Sequence, residues 1–115
     1  MKKLVAFSAP ILPGQTEQWK KFISEIQGAR KKDFSESRKK FDVHERTFLQ
    51  QTPHGDVVIV TLEGEDPVGG FIKFAQSENE FTKWFVNEVR KAHGFDLKDM
   101  AKMPMPELTL DSEGA

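Results

Sequence analysis

The chain has 115 residues with 17 Lys and Arg against 18 Asp and Glu, a formal net charge of -1. This balance speaks against a dedicated nucleic-acid binder, whose footprint is strongly basic. The absence of cysteine excludes disulfides, thiolate metal sites and a cysteine nucleophile, and the length fits one domain, residues 1–115, built around one core.

Two lysines and an apolar run open the chain in the manner of a secretory signal, but Ser8, Pro10 and Pro13 interrupt the run. No apolar stretch approaches the roughly 18 residues that would span a bilayer, so the expected location is cytoplasmic, without membrane association. From Lys2 to Ala9, apolar residues fall on both sides of a first strand, which Pro10 and Pro13-Gly14 end. Thr16-Glu17 offers a helix cap, and Trp19, Phe22, Ile23 and Ile26 form the apolar stripe of the helix that follows. Gly28 weakens its continuation, so the spacing of Arg30, Phe34, Ser37, Arg38 and Phe41 predicts one bent helix or two short ones.

Val43 to Glu63 is the most informative stretch. Two strand-forming runs flank Thr52-Pro53-His54-Gly55, which predicts a hairpin. With Gln51 facing Asp56, counting back sets Phe48 opposite Ile59, Arg46 opposite Thr61 and His44 opposite Glu63 on one face. Leu49 with Val58, Thr47 with Val60 and Glu45 with Leu62 occupy the other. Both alternating sets of the second run are largely apolar, whereas a sheet buried on one side alternates apolar with polar. This strand calls for cover on both faces.

Beyond the hairpin, Gly69-Gly70 predicts only a turn of helix after the glycines. Ser77-Glu78-Asn79-Glu80 reads as a capping box for a helix buried through Phe81, Trp84, Phe85, Val89 and Ala92 and stopped by Gly94. A polar link, Lys98 to Met105, leads to a predicted last strand, Pro106 to Leu110.

The order strand, helix, strand, strand, helix, strand predicts an α+β, ferredoxin-like β-α-β-β-α-β fold with an antiparallel sheet and helices on one face. Such helices cover one face only. A second copy packed sheet to sheet is therefore the expected partner.

The segments FLQQTPHGDVVIVTLEGEDP, Phe48 to Pro67, and SENEFTKWFVNEVRKAHGFDL, Ser77 to Leu97, resemble a small uncharacterised bacterial family within the dimeric alpha-beta barrel superfamily. That resemblance implies a homodimer with a barrel between its two sheets. Members of the superfamily include monooxygenases, isomerases, haem-dependent enzymes, stress-response proteins and ligand-sensing domains, so the fold alone selects no activity.

The residues that could carry chemistry are His44, Arg46 and Glu63, expected together at one end of the hairpin, over a floor of Phe48, Ile59 and Thr61. A histidine beside a carboxylate can move a proton, and an arginine can hold a carboxylate or enolate. The expected function is binding of a small, partly apolar organic molecule in the barrel cavity. The alternatives are a cofactor-free monooxygenase- or isomerase-like enzyme using His44 and Arg46, and an assembly protein with a filled barrel. No cofactor is expected. The three histidines lack metal-ligand spacing, so no metal is expected either. His93 reads as a helix C-terminal cap, His54 as an exposed turn residue, Trp19 and Trp84 as core, and the basic runs Arg30-Lys31-Lys32 and Arg38-Lys39-Lys40 as solvated helix surface.

Overall fold

A three-stranded antiparallel sheet organises the chain: β1 is Lys3–Pro10, β2 His44–Thr52 and β3 Gly55–Gly64, in spatial order β1-β3-β2. The computed structural model describes residues 2–114. The doubly apolar strand β3 takes the central place, as its composition requires. Its pairing with β2 has the register obtained by counting from the turn, with Leu49 facing Val58, Phe48 facing Ile59 and His44 facing Glu63. The strands run closer to the turn than the four-residue loop allowed. Thr52 pairs with Gly55, leaving Pro53-His54 as the turn. On the other side of β3, Val5 meets Leu62, Phe7 meets Val60 and Ala9 meets Val58.

Helices α1 (Thr16–Gln27) and α2 (Lys31–Lys40) connect β1 to β2, and α3 (Pro67–Gln76), α4 (Glu80–His93) and a short 3-10 helix at Leu97–Lys102 follow β3. They cover the face that carries Val58, Val60 and Leu62, whose side chains join Trp19, Phe22, Phe74 and Phe85 in one core. Phe74 and Phe85 meet edge to face with ring centroids 5.2 Å apart, and Phe22 meets Phe85 at 5.1 Å. Such pairs add to the burial of area itself. Among the described residues, no helix is long and apolar enough to cross a membrane.

Local chemistry differs from expectation at three places. α3 includes both glycines: Asp66 caps it by accepting the Gly69 amide, Pro67 enters at the first turn, and a side chain at Gly70 would strike the Phe41 carbonyl and the Val43 methyl. The close approach of α3 to that loop offsets the low helix propensity of glycine. At α4 the cap is Asn79, which accepts the Thr82 amide, while Ser77 bonds the Phe74 carbonyl at the end of α3. Thr16 does not cap α1. Its hydroxyl donates to Asp56 near the hairpin turn at 2.5 Å. Gly94 does end α4, in the left-handed region at φ 79°, as a glycine stop requires.

The fourth strand is a correction. Pro106 to Leu110 forms no strand, and Leu108 and Leu110 are 68% and 80% exposed. Part of the link before it is the 3-10 helix, whose Leu97 and Met100 are buried. Met105 is the last side chain packed against the core, and the chain beyond gains no cover that would hold it beside β1. The fold is thus a mixed α and β arrangement with three strands, β1 and β2 at its edges.

Candidate functional site

The sheet has two unlike faces, and each carries candidate chemistry. On the face away from the helices, His44, Arg46 and Glu63 come together as the register requires. Glu63 Oε1 lies 3.8 Å from His44 Nδ1 and 3.6 Å from an Arg46 guanidinium nitrogen. These are ion-pair distances rather than hydrogen bonds, and the His44 and Arg46 side chains are 59% and 50% exposed. Phe48, Ile59 and Thr61 share the face, with Phe48 53% exposed and Ile59 and Thr61 half-buried. The Thr61 hydroxyl oxygen is buried and has no partner among the described residues. All six expected site residues therefore stand on one surface, which Leu4, Ala6 and Ser8 of β1 extend.

A partly open cavity lies on the opposite face, between sheet and helices, with a volume of about 250 Å³. α1 supplies Trp19, Phe22, Ile23 and Ile26; the sheet supplies Phe7, Ala9, Val58 and Val60; Phe34, Phe71, Phe85 and Val89 close it from the other helices. Gln27 and Thr47 are the exposed lining residues, which puts the mouth between the end of α1 and the edge strand β2. The polar lining groups come from separate elements, Glu45 with Thr47 from β2 and His93 from the end of α4, where it bonds Pro10.

Glu45 is held by a residue expected on the surface. Arg38 is 5% exposed, and its Nε donates to Glu45 Oε1 at 2.7 Å. Its guanidinium also lies 4.3 Å from the Phe74 ring centroid and 4.5 Å from that of Phe34. These are distances at which an aromatic face attracts a cation. Glu45 Oε2 accepts the Thr47 hydroxyl at 2.9 Å. The basic runs of α2 are thus not one solvated patch. Arg38 is internal, and Arg30 forms two hydrogen bonds to Glu80, which raise the Arg30 pKa and lower that of Glu80. Lys31, Lys32, Lys39 and Lys40 remain exposed. Two signals for Arg38 were present in the sequence: its position four residues after Phe34 on the apolar stripe, and a glutamate, Glu45, assigned to the buried face of β2.

His93 also differs from expectation. Its Nδ1 bonds the Pro10 carbonyl at 2.8 Å instead of a carbonyl of its own helix, and burial pushes its pKa below the ordinary histidine value. It is held neutral beside the cavity, not poised as a cationic cap. His54 is exposed in the turn, Trp19 is core, and Trp84 is half-buried beneath Arg30. Among the described residues, no three His, Asp or Glu side chains are grouped as a metal centre requires.

Comparison of the chain with protein-family models, with curated proteins and with solved structures found no significant match.

Proposed function

We propose that the protein binds a small, largely apolar organic molecule in the cavity between sheet and helices, as a homodimer joined through its open sheet faces. The cavity carries this reading: about 250 Å³ lined chiefly by aromatic and aliphatic side chains, with few polar groups among them. Ligand sites have this composition, and a smaller engineered apolar cavity of about 150 Å³ already accepts benzene. The sequence-based expectation set the ligand between two sheets; the chamber formed within one chain is the better candidate. The open face, with Leu4 54% and Phe48 53% exposed beside Ile59 and Val57, suits contact with a second copy. Its two-sided apolar central strand and the resemblance to dimeric alpha-beta barrels support the same pairing.

Trp19 lines the cavity and reports on it. Titration with toluene or naphthalene is expected to change tryptophan emission saturably, and Val60→Phe, which projects a ring into the chamber, is expected to abolish the response. A non-saturable response, or one unchanged in folded Val60→Phe, overturns the assignment of the ligand to this cavity.

A further inference from the structure

We infer that this cavity selects neutral molecules that donate a hydrogen bond, with His93 Nε2 as the acceptor; the inference rests on the ligand-binding reading above and specifies its chemistry. A carbonyl oxygen can only accept, so the 2.8 Å contact between His93 Nδ1 and Pro10 places a proton on Nδ1. In the neutral ring Nε2 then carries a lone pair. Burial disfavours the cation and keeps that lone pair free. His93 is a lining residue of the cavity, and its Nδ1 is committed to the main chain. Nε2 is its remaining polar atom, with no partner among the described residues.

The polar lining groups of β2 match in sign. Glu45 is a carboxylate engaged by Arg38 and by the Thr47 hydroxyl, and Thr47 spends its proton on that bond. Both groups offer lone pairs and no proton. No lysine or arginine lines the chamber, and the Gln27 amide lies at its exposed mouth. A bound anion would sit in apolar surroundings near Glu45, and the nearest cation, Arg38, is already neutralised by Glu45 and does not line the chamber, a costly arrangement. An aromatic or alicyclic alcohol, phenol or amine N–H instead fills the apolar volume and satisfies Nε2.

Phenol, anisole and benzoate test this on the wild-type protein, since they share a ring and differ in donor and charge. Phenol is expected to bind at least about three-fold more tightly than anisole, the scale of one net hydrogen bond, although anisole is the more apolar. Benzoate is expected not to bind. Nitrogen NMR of the ring is expected to show His93 protonated on Nδ1. In His93→Phe the preference for phenol over anisole is expected to vanish. Equal binding of anisole or benzoate, a preference surviving in folded His93→Phe, or a proton on Nε2 overturns the inference while leaving an occupied cavity in place. If toluene, phenol and anisole all fail to bind, the ligand-binding reading itself falls, and the inference with it. If His93→Phe does not fold, the wild-type ligand series and the tautomer decide.

Discussion

Arg38 and Glu45 form a hydrogen-bonded ion pair of 2.7 Å inside the protein, their side chains 6% and 7% exposed. The pair ties α2 to β2, and the guanidinium is surrounded by the rings of Phe34, Phe71, Phe74 and Phe85. One of its nitrogens, Nη2, is buried without a hydrogen-bond partner among the described residues. Removal of one partner leaves the other charge stranded, so Glu45→Ala is expected to destabilise the fold by about 3–5 kcal/mol. The double variant Arg38→Met, Glu45→Leu is expected to recover most of that loss, because an apolar pair needs no desolvation of charge. Urea denaturation of the three proteins measures both effects.

The open face yields a second expectation. Sedimentation of the 13.1 kDa chain is expected to show a species of twice that mass, and Phe48→Lys to shift it to monomer. A charge at a 53%-exposed position leaves the helix-side core untouched, so the variant is expected to keep its fold. A wild-type monomer at high protein concentration contradicts the sheet-to-sheet pairing.

Gly70 gives a third. A methyl group there meets the Phe41 carbonyl oxygen and the Val43 side chain, neither of which can move without disturbing the approach to β2. Gly70→Ala is expected to cost about 1–3 kcal/mol, the range for overpacking, despite the better helix propensity of alanine. Thermal or urea unfolding reads the sign directly.

The histidine beside the cavity predicts a pH response. An unfolded histidine titrates near 6.5, and burial holds the native value of His93 lower. Between the two, the unfolded chain binds a proton that the native chain refuses. Stability is therefore full above about pH 6.5 and is lost as pH falls from there through the lower native value. Asp96, held low chiefly by the Lys98 amide, and Glu80, held low by Arg30, act in a more acidic window. The urea midpoint of the wild type is expected to fall more between pH 7.5 and 5.5 than that of His93→Gln.

How much was legible in the sequence followed the range of the interactions involved. The hairpin register could be counted because a two-fold side-chain period and one short turn determine it, and His44, Arg46 and Glu63 come together for that reason alone. α4 was legible from its apolar spacing and Gly94, although its cap was misassigned among neighbouring Ser77 and Asn79, which both suit a helix start. Arg38 was misread because its burial depends on Glu45 and on rings contributed by α3 and α4, none of which a helix-surface pattern contains. The cavity was invisible for a related reason: Trp19, Phe34, Val60 and His93 come from four separate elements, and the space between them is a property of packing. Pro106 to Leu110 shows the reverse error, since alternating leucines mark a strand only where an edge accepts them.

The chamber between sheet and helices has one more consequence. A fold with internal space has forgone part of the dispersion energy that close packing supplies, and a molecule that enters adds its binding free energy to that of the native state. At one hundred times its dissociation constant such a molecule contributes about 2.7 kcal/mol. In a chain of this size that corresponds to a rise of roughly ten degrees or more in melting temperature. Heat is thus a chemical probe of this protein: compounds that occupy the chamber identify themselves by delaying its unfolding, whether or not any reaction follows.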